Sequence, residues 1–156
     1  MDSYFASPER SDKNKINEEL GLISEHSLIN ELMKIIDGLF AVLDENRQIL
    51  AVNDSVLKKL NINNIESILG ARLGEAIKCV YSKVMPCGCG TSKKCASCGA
   101  AISIAAVLSK NEVSENDCFI KRNDSEQLDD LYFKIKAAPL HISKEKFVLL
   151  FLQDYT

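Results

Sequence analysis

The sequence lacks the features that mark membrane, secreted and nucleic-acid-binding proteins. It contains no run of about 18 apolar residues, the length that spans a bilayer. Its opening stretch, MDSYFASPERSDKNK, holds no apolar core like that of a signal peptide. With 19 basic and 22 acidic residues the net charge is −3, and no basic stripe with interleaved aromatic residues is present. We therefore expect a cytoplasmic protein that contacts neither membrane nor nucleic acid.

The sequence also lacks the common catalytic motifs. It has no Gly-rich phosphate-binding loop, no G-x-S-x-G and no H-E-x-x-H. The adjacent carboxylates of Asp129 and Asp130 would point to opposite faces of a strand, so they cannot work as an acid–base pair. We predict no catalytic residue and no enzymatic activity for this chain.

Cysteine, by contrast, is abundant, with 6 residues in 156. Four of them lie in the Gly-rich stretch MPCGCGTSKKCASCGA, residues 85–100, and one lies just before it: Cys79, Cys87, Cys89, Cys95 and Cys98. Stable disulfides are rare in the cytosol, so this density indicates metal binding or redox chemistry. Cys118, within a strand-like segment, reads as a small core residue.

The spacing predicts a site of four thiolates. Cys95-x-x-Cys98 puts two sulfurs on one turn, and Cys79 and Cys89 complete the set, with Cys87 as an alternative to Cys89. Three uses stay open. These are an iron–sulfur cluster, favoured and of the [4Fe–4S] type, a structural zinc ion, and a thiol–disulfide pair of Cys95 and Cys98.

The hydrophobic pattern divides the chain into three parts. We expect a flexible N-terminus over residues 1–14, a helical extension over 15–37 and one domain over 38–156 that carries the cysteine loop, residues 79–98. The extension is amphipathic, and it serves either as a cover for the domain or as a dimerisation helix. The domain reads as α+β with a five-stranded antiparallel sheet. Its strands are predicted at Leu39–Leu43, Gln48–Val52, Asp117–Arg122, Leu131–Ile142 and Phe147–Leu152, and a helix is predicted at Ala100–Leu108.

Two stretches of this domain resemble PAS sensor domains. One is the opening IIDGLFAVLDENRQILAVN, and the other is the closing LFLQDYT. The motifs G-E-A-x-x-Cys79, Cys89-G-T and Cys95-x-x-Cys98-G-A are similar to those of a cysteine-bearing PAS subgroup. That subgroup stands at the N-terminus of bacterial and archaeal sensor histidine kinases. Cys87 departs from the subgroup, which commonly has glycine there.

This resemblance implies a PAS-like sheet with short helices on one side. It further implies a sensor of redox state or oxygen that works as a homodimer and regulates a histidine kinase or similar effector. The ligands of its metal centre would be Cys79, Cys89, Cys95 and Cys98. A structural zinc module for protein interaction and a thiol–disulfide switch remain the alternatives. We expect the chain to be a separate module or the sensor part of a longer kinase.

Overall fold

The computed structural model describes residues 2–156, apart from the side chain of Asp124. In this part of the chain five strands form one antiparallel sheet in the order β2-β1-β5-β4-β3. The strands are β1 (Leu39–Asp44), β2 (Ile49–Val52), β3 (Ser114–Ile120), β4 (Leu131–Ile142) and β5 (Glu145–Asp154). The α-helices of the same residues are α1 (Lys13–Ser24), α2 (Ser27–Ile35), α3 (Asp54–Lys59), α4 (Leu73–Ala76) and α5 (Gly99–Lys110). The predicted α+β class and five-stranded sheet are confirmed.

Local side-chain chemistry explains the predicted hairpin and the helix after it. The Asp44 carboxylate accepts hydrogen bonds from the backbone N–H groups of Asn46 and Gln48, at 2.9 Å each, which closes the turn between β1 and β2. The Asn53 side chain then accepts from the N–H of Val56 and caps α3. Both features follow from residues close together in sequence.

The sheet is covered on both faces. On one face the main core lies beneath α3, α4 and α5, where Ala41, Ile104 and Ile135 are 5% exposed or less. On the other face α1 and α2 bury a second apolar cluster, in which Ile23 and Ile29 meet Phe147. Successive side chains of a strand point to opposite faces of the sheet. Alternate residues of β1 therefore pack into the main core and into the second apolar cluster. The helical extension is therefore packed on the sheet.

The first residues of the chain lie against the cysteine loop. The N–H groups of Tyr4 and Ala6 donate to the carbonyls of Thr91 and Gly90, at 2.9 Å each. The Lys93 ammonium lies 5.0 Å from the centre of the Tyr4 ring. Residues 1–14 were expected to be flexible, and the described part of that segment connects the cysteine loop to α1. The predicted boundaries between residues 1–14, the helical extension and the domain stay a prediction.

None of the helices in residues 2–156 has the length and apolar character that a membrane crossing requires.

A buried carboxyl group lies between α1 and the sheet. Glu19 is 1% exposed, and within the described residues neither carboxylate oxygen has a hydrogen-bond partner. Burial and the negative charges of Asp44 and Glu145 raise the pKa of Glu19 from 4.5 to about 8, against the opposing effect of Lys15. The folded-state pKa lies above the unfolded one. The protonated carboxyl therefore stabilises the fold fully below about pH 4.5, and this contribution is lost as the pH rises to about 8.

We expect Glu19→Gln to raise the free energy of unfolding at alkaline pH by about 1–3 kcal/mol, because it removes a buried charge that has no partner. The gain should shrink toward zero as the pH falls from about 8 to about 4.5. Urea unfolding across this range measures it. Glu18→Gln, at an exposed position on the same helix, is the control and should follow the wild-type profile. The same gain for Glu19→Gln at both ends of the range would contradict the prediction.

Candidate functional site

The four predicted ligands line one cavity of about 340 Å³. This cysteine cavity is bounded by the cysteine loop, α4, the first turns of α5 and the end of β3. The thiols come from separate local structures: Cys79 follows α4, Cys89 lies in a Gly-rich turn, Cys95 lies in a 3₁₀ turn, and Cys98 is the N-cap of α5. Folding thus brings together residues that the spacing had only suggested as a group.

Cys79 and Cys89 meet at the start of α4. The N–H of Gly74 lies 3.3 Å from the Cys89 sulfur. A Cβ atom placed on Gly74 would lie 2.7 Å from that sulfur and 3.4 Å from the Cβ of Cys79. Only a residue without a side chain allows the Cys89 sulfur to come this close to the helix.

The turn around Cys89 depends on two glycines. Gly88 and Gly90 have φ values of +86° and +92°, which L side chains rarely adopt. The absent side chains also leave room for two charged groups. A Cβ atom on Gly88 would lie 2.1 Å from the Glu75 carboxylate, and one on Gly90 would lie 2.9 Å from the Arg47 guanidinium. This turn directs the Cys89 sulfur into the cavity and exposes the Cys89 carbonyl to Arg47, at 3.2 Å.

Cys95 and Cys98 lie on consecutive turns. The N–H of Cys98 donates to the carbonyl of Cys95 at 3.2 Å, so the pair shares one compact loop. Cys95 is 7% exposed, and its sulfur lies 3.3 Å from the Ser92 hydroxyl. The Cys98 sulfur lies only 3.8 Å from that of Cys118, which the sequence had marked as a core residue and which is 1% exposed.

Cys87 lies outside the cysteine cavity. Its carbonyl accepts hydrogen bonds from Arg72 at 3.0 Å and from Arg10 at 3.1 Å, and the residue is 4% exposed. The structure thus places Cys89 on the cavity wall and Cys87 behind it. The ligand set itself stays a prediction.

The thiols influence one another electrostatically. Burial raises the pKa of Cys89 to about 12, and the neighbouring thiols Cys95, Cys98 and Cys79 add to this effect. Burial likewise raises the pKa of Cys79. The pKa of Cys98 is lowered to about 6, because the Cys118 thiol and the first N–H groups of α5 hydrogen-bond its sulfur. Metal binding by Cys79 and Cys89 must therefore displace the protons of these two thiols, because their raised pKa values keep them protonated at neutral pH.

Across residues 2–156, no group of three or more His, Cys, Asp or Glu side chains is already assembled at metal-coordination distances. The donor chemistry fits a thiolate-bound metal centre, and the cavity offers the room. The sulfurs line the walls of a space, and they do not converge on a single point.

Sequence reasoning missed the charged residues that hold this site. Arg72 is 0% exposed, and its guanidinium donates to the carbonyls of Asn46 at 3.0 Å and Glu9 at 2.5 Å, as well as to two carbonyls of the cysteine loop. Burial lowers the pKa of Arg72 to about 10, with contributions from the nearby cations Arg47 and Arg10. No local pattern marks a buried arginine, because its acceptors are backbone carbonyls distant in sequence.

Glu75 balances part of this positive charge. Its carboxylate accepts from the N–H of Arg72 at 2.9 Å and from the N–H of Cys89 at 3.2 Å, and it forms an ion pair with Arg10. Burial alone would raise the pKa of Glu75, but these donors outweigh it and the pKa is lowered. Glu75 thereby connects α4, the cysteine loop and the N-terminal segment.

Comparison with solved structures shows what this architecture is similar to. The PAS domain of an HTR-like protein from Haloarcula marismortui matches with a TM-score of 0.52 and 16% identity, over 91% of this chain and 99% of that one. A PAS domain from a two-component sensor histidine kinase matches with a TM-score of 0.53 and 12% identity, over 91% and 99%. The PAS domain of nitrogen regulation protein NR(II) from Vibrio parahaemolyticus matches with a TM-score of 0.54 and 9% identity, over 83% and 99%. The chain therefore has the fold of PAS domains.

No profile of a known protein family matches the sequence, and no curated protein matches it.

We expect Arg72→Met to lower the free energy of unfolding by about 3–5 kcal/mol, because several buried carbonyls lose a charged donor. Urea unfolding measures this loss. Arg10→Met is the matched control: its side chain is 35% exposed, so we expect a loss of about 1 kcal/mol or less. If both variants lost the same free energy of unfolding, the buried hydrogen bonds of Arg72 would stabilise the fold no more than the partly exposed contacts of Arg10.

Proposed function

We propose that this chain is a PAS-type sensor module whose cysteine cavity binds a metal centre through Cys79, Cys89, Cys95 and Cys98. The observation that carries the proposal is the meeting of these four thiols, from four local structures, on the wall of one cavity. Four cysteines in a Gly-rich setting are a ligand set common to iron–sulfur clusters and structural zinc. The motifs around them also resemble those of the cysteine-bearing PAS subgroup, which supports the proposal.

The size of the cavity favours a cluster over a single zinc ion. Zinc requires four sulfurs at about 2.3 Å from one point. In the described residues no three potential ligands converge in that way, and the four cysteines line, together with other residues, a cavity of about 340 Å³. A [4Fe–4S] cluster places its four thiolates farther apart, around a larger body. When bound, it would supply a centre whose charge changes with oxidation.

The surrounding cations suit an anionic centre. Arg47 is 5% exposed and lines the cavity, together with Arg72 and Lys94. Burial lowers the pKa of Arg47, while negative charge on Cys89 and Cys95 raises it, so thiolates at these positions would stabilise the buried guanidinium. A metal centre with four thiolate ligands carries net negative charge, and buried guanidinium groups compensate such charge in a low dielectric.

A route from the cavity to the rest of the domain runs through α4. The Cys89 carbonyl and N–H bind Arg72 and Glu75, and the same two side chains bind the N-terminal segment at Glu9 and Arg10. A change in the cysteine loop would therefore act on the segment that leads into α1. On the opposite side, the backbone of Cys79 forms an isolated antiparallel β-bridge with the backbone of Arg122, which follows β3. A signal at the metal centre would act by changing the arrangement of these two connections.

We further propose a redox or oxygen signal in the cytoplasm, a homodimer and a histidine kinase or similar effector. Two of the similar structures support the sensor context, since they are named as PAS domains of a sensor histidine kinase and of a nitrogen regulation protein. The exposed apolar residues Leu28 and Ile35 of α2, 61% and 69% exposed, support a surface for self-association.

The test is metal and acid-labile sulfide analysis, with a visible spectrum, on protein purified without oxygen. We expect brown protein that contains iron and sulfide and bleaches on reduction. Colourless protein with zinc would keep the site and overturn the cluster. Protein without bound metal would overturn the site.

Single variants test the ligand set. We expect Cys89→Ser to lose most of its bound metal, because its sulfur lines the cavity. Cys87→Ser, two residues away and behind the wall, is the matched control and should keep wild-type content. Wild-type metal content in a Cys95→Ser/Cys98→Ser double variant would rule these ligands out.

A further inference from the structure

Cys118 stands beside the cysteine cavity and belongs to no predicted ligand set. Its sulfur lies 3.8 Å from that of Cys98, 20 residues away in sequence. Cys98 is the N-cap of α5, and Cys118 lies within β3 with 1% exposure. The two sulfurs are thus neighbours across a helix–strand contact.

The backbones of this contact are held closely together. A Cβ atom on Gly99 would lie 1.9 Å from the carbonyl oxygen of Asp117, so the start of α5 rests directly on β3. One turn further, the Asn116 amide donates to the Ser103 hydroxyl at 2.7 Å. Because Gly99 follows Cys98 and Asp117 precedes Cys118, the contact fixes the two cysteines opposite each other.

A disulfide needs its sulfurs at about 2.05 Å, so these two must approach by a little under 2 Å. Rotation about the side-chain bonds supplies a shift of that size. We propose that Cys98 and Cys118 form a reversible disulfide when a hydroperoxide enters the cysteine cavity.

The chemistry uses one equivalent of hydroperoxide. The Cys98 sulfur attacks the terminal peroxide oxygen, the O–O bond breaks, and Cys98 becomes a sulfenic acid while the remaining oxygen leaves as an alcohol or water. The Cys118 sulfur then attacks the Cys98 sulfur, the S–O bond breaks, and water leaves. Two thiols are oxidised and one peroxide is reduced. A dithiol reverses the bond by thiol–disulfide exchange.

Position assigns the two roles. Cys98 is half-buried and lines the cavity, so a small peroxide reaches it first. Cys118 is buried behind it and serves as the resolving thiol. Cys95, the partner expected from its C-x-x-C spacing, has its sulfur beside the Ser92 hydroxyl at 3.3 Å.

The consequence for the metal rests on the proposed function. Cys98 is one of the four proposed ligands, and the disulfide would remove its thiolate from the site. Peroxide would then release the metal reversibly, and Cys118 would protect Cys98 from irreversible oxidation to the sulfinic acid.

Peptide mapping of the metal-free full chain tests the disulfide. Trypsin cleaves after Lys94, Lys110 and Lys121, which places Cys98 in peptide 95–110 and Cys118 in peptide 111–121. The protein is treated with hydrogen peroxide, its remaining thiols are alkylated, and the digest is analysed by mass spectrometry. In Cys95→Ser the link between the two peptides can involve only Cys98. Cys95→Ser/Cys118→Ala is the control, and its circular dichroism is compared with that of wild type.

We expect the two peptides to be linked in wild type and in Cys95→Ser, and to separate after dithiothreitol. Alkylated Cys118 alongside a Cys95–Cys98 or other disulfide would overturn the proposal, and so would recovery of both peptides unlinked. In wild-type protein, fragmentation of the linked peptides identifies which cysteine is bonded to Cys118. The result therefore does not depend on the folding of a variant.

Zinc binding then separates this inference from the proposed function. We expect peroxide to cut Zn²⁺ binding several-fold in wild type and dithiothreitol to restore it. In Cys95→Ser/Cys118→Ala no neighbouring thiol traps the sulfenic acid, so excess peroxide should oxidise Cys98 to the sulfinic acid and the loss should persist after dithiothreitol. Full recovery in Cys95→Ser/Cys118→Ala together with persistent loss in Cys95→Ser would show that Cys118 is not the resolving thiol. If untreated protein binds no Zn²⁺ and no iron, the proposed function fails, and the peptide map alone decides the disulfide.

Discussion

The constraint on which the cysteine cavity depends is the burial of one positive charge, the guanidinium of Arg72. A cation removed from water is tolerated only where acceptors surround it. Arg72 finds these acceptors in the turn between β1 and β2, in the N-terminal segment and in the cysteine loop. Three segments far apart in sequence are therefore held at one point. Glu75 offsets the charge and adds its own bonds to two of them.

This arrangement leaves the sulfur side of the loop open toward the cavity. The loop carbonyls of Cys87 and Cys89 turn toward Arg72 and Arg47, and the glycines beside Cys89 make that orientation possible. The loop is held through its backbone, so its thiols remain available for other chemistry. In the proposed function, such a site would change its metal or redox state while the sheet and its two layers stay in place. The N-terminal segment, bound to the same groups, would be the part that responds.

The six cysteines divide by environment, although all are the same residue type. Four line the cavity, Cys87 lies behind its wall, and Cys118 lies in the core beside Cys98. The proposed disulfide partner of Cys98 is Cys118, whose sulfur lies 3.8 Å away although the two residues are 20 positions apart in sequence. If both proposals hold, a metal centre and a thiol pair would compete for the Cys98 sulfur, and this competition would let peroxide act on a metal sensor.

The sequence by itself determined the local elements and the chemical type of the site. Turn residues at Asp44–Arg47, the capping Asn53 and the alternation along β4 specify structure through neighbours in the chain, so the hairpin, α3 and the five-stranded sheet were predictable. The density of cysteine likewise indicated thiol chemistry. Only the tertiary structure decided that Cys89 rather than Cys87 faces the cavity, that Arg72 holds the loop, and that Cys118 reaches Cys98. Each of these depends on contacts between segments 15 to 77 residues apart. Such contacts are set by how helices and loops pack on the sheet, and no local periodicity encodes that packing.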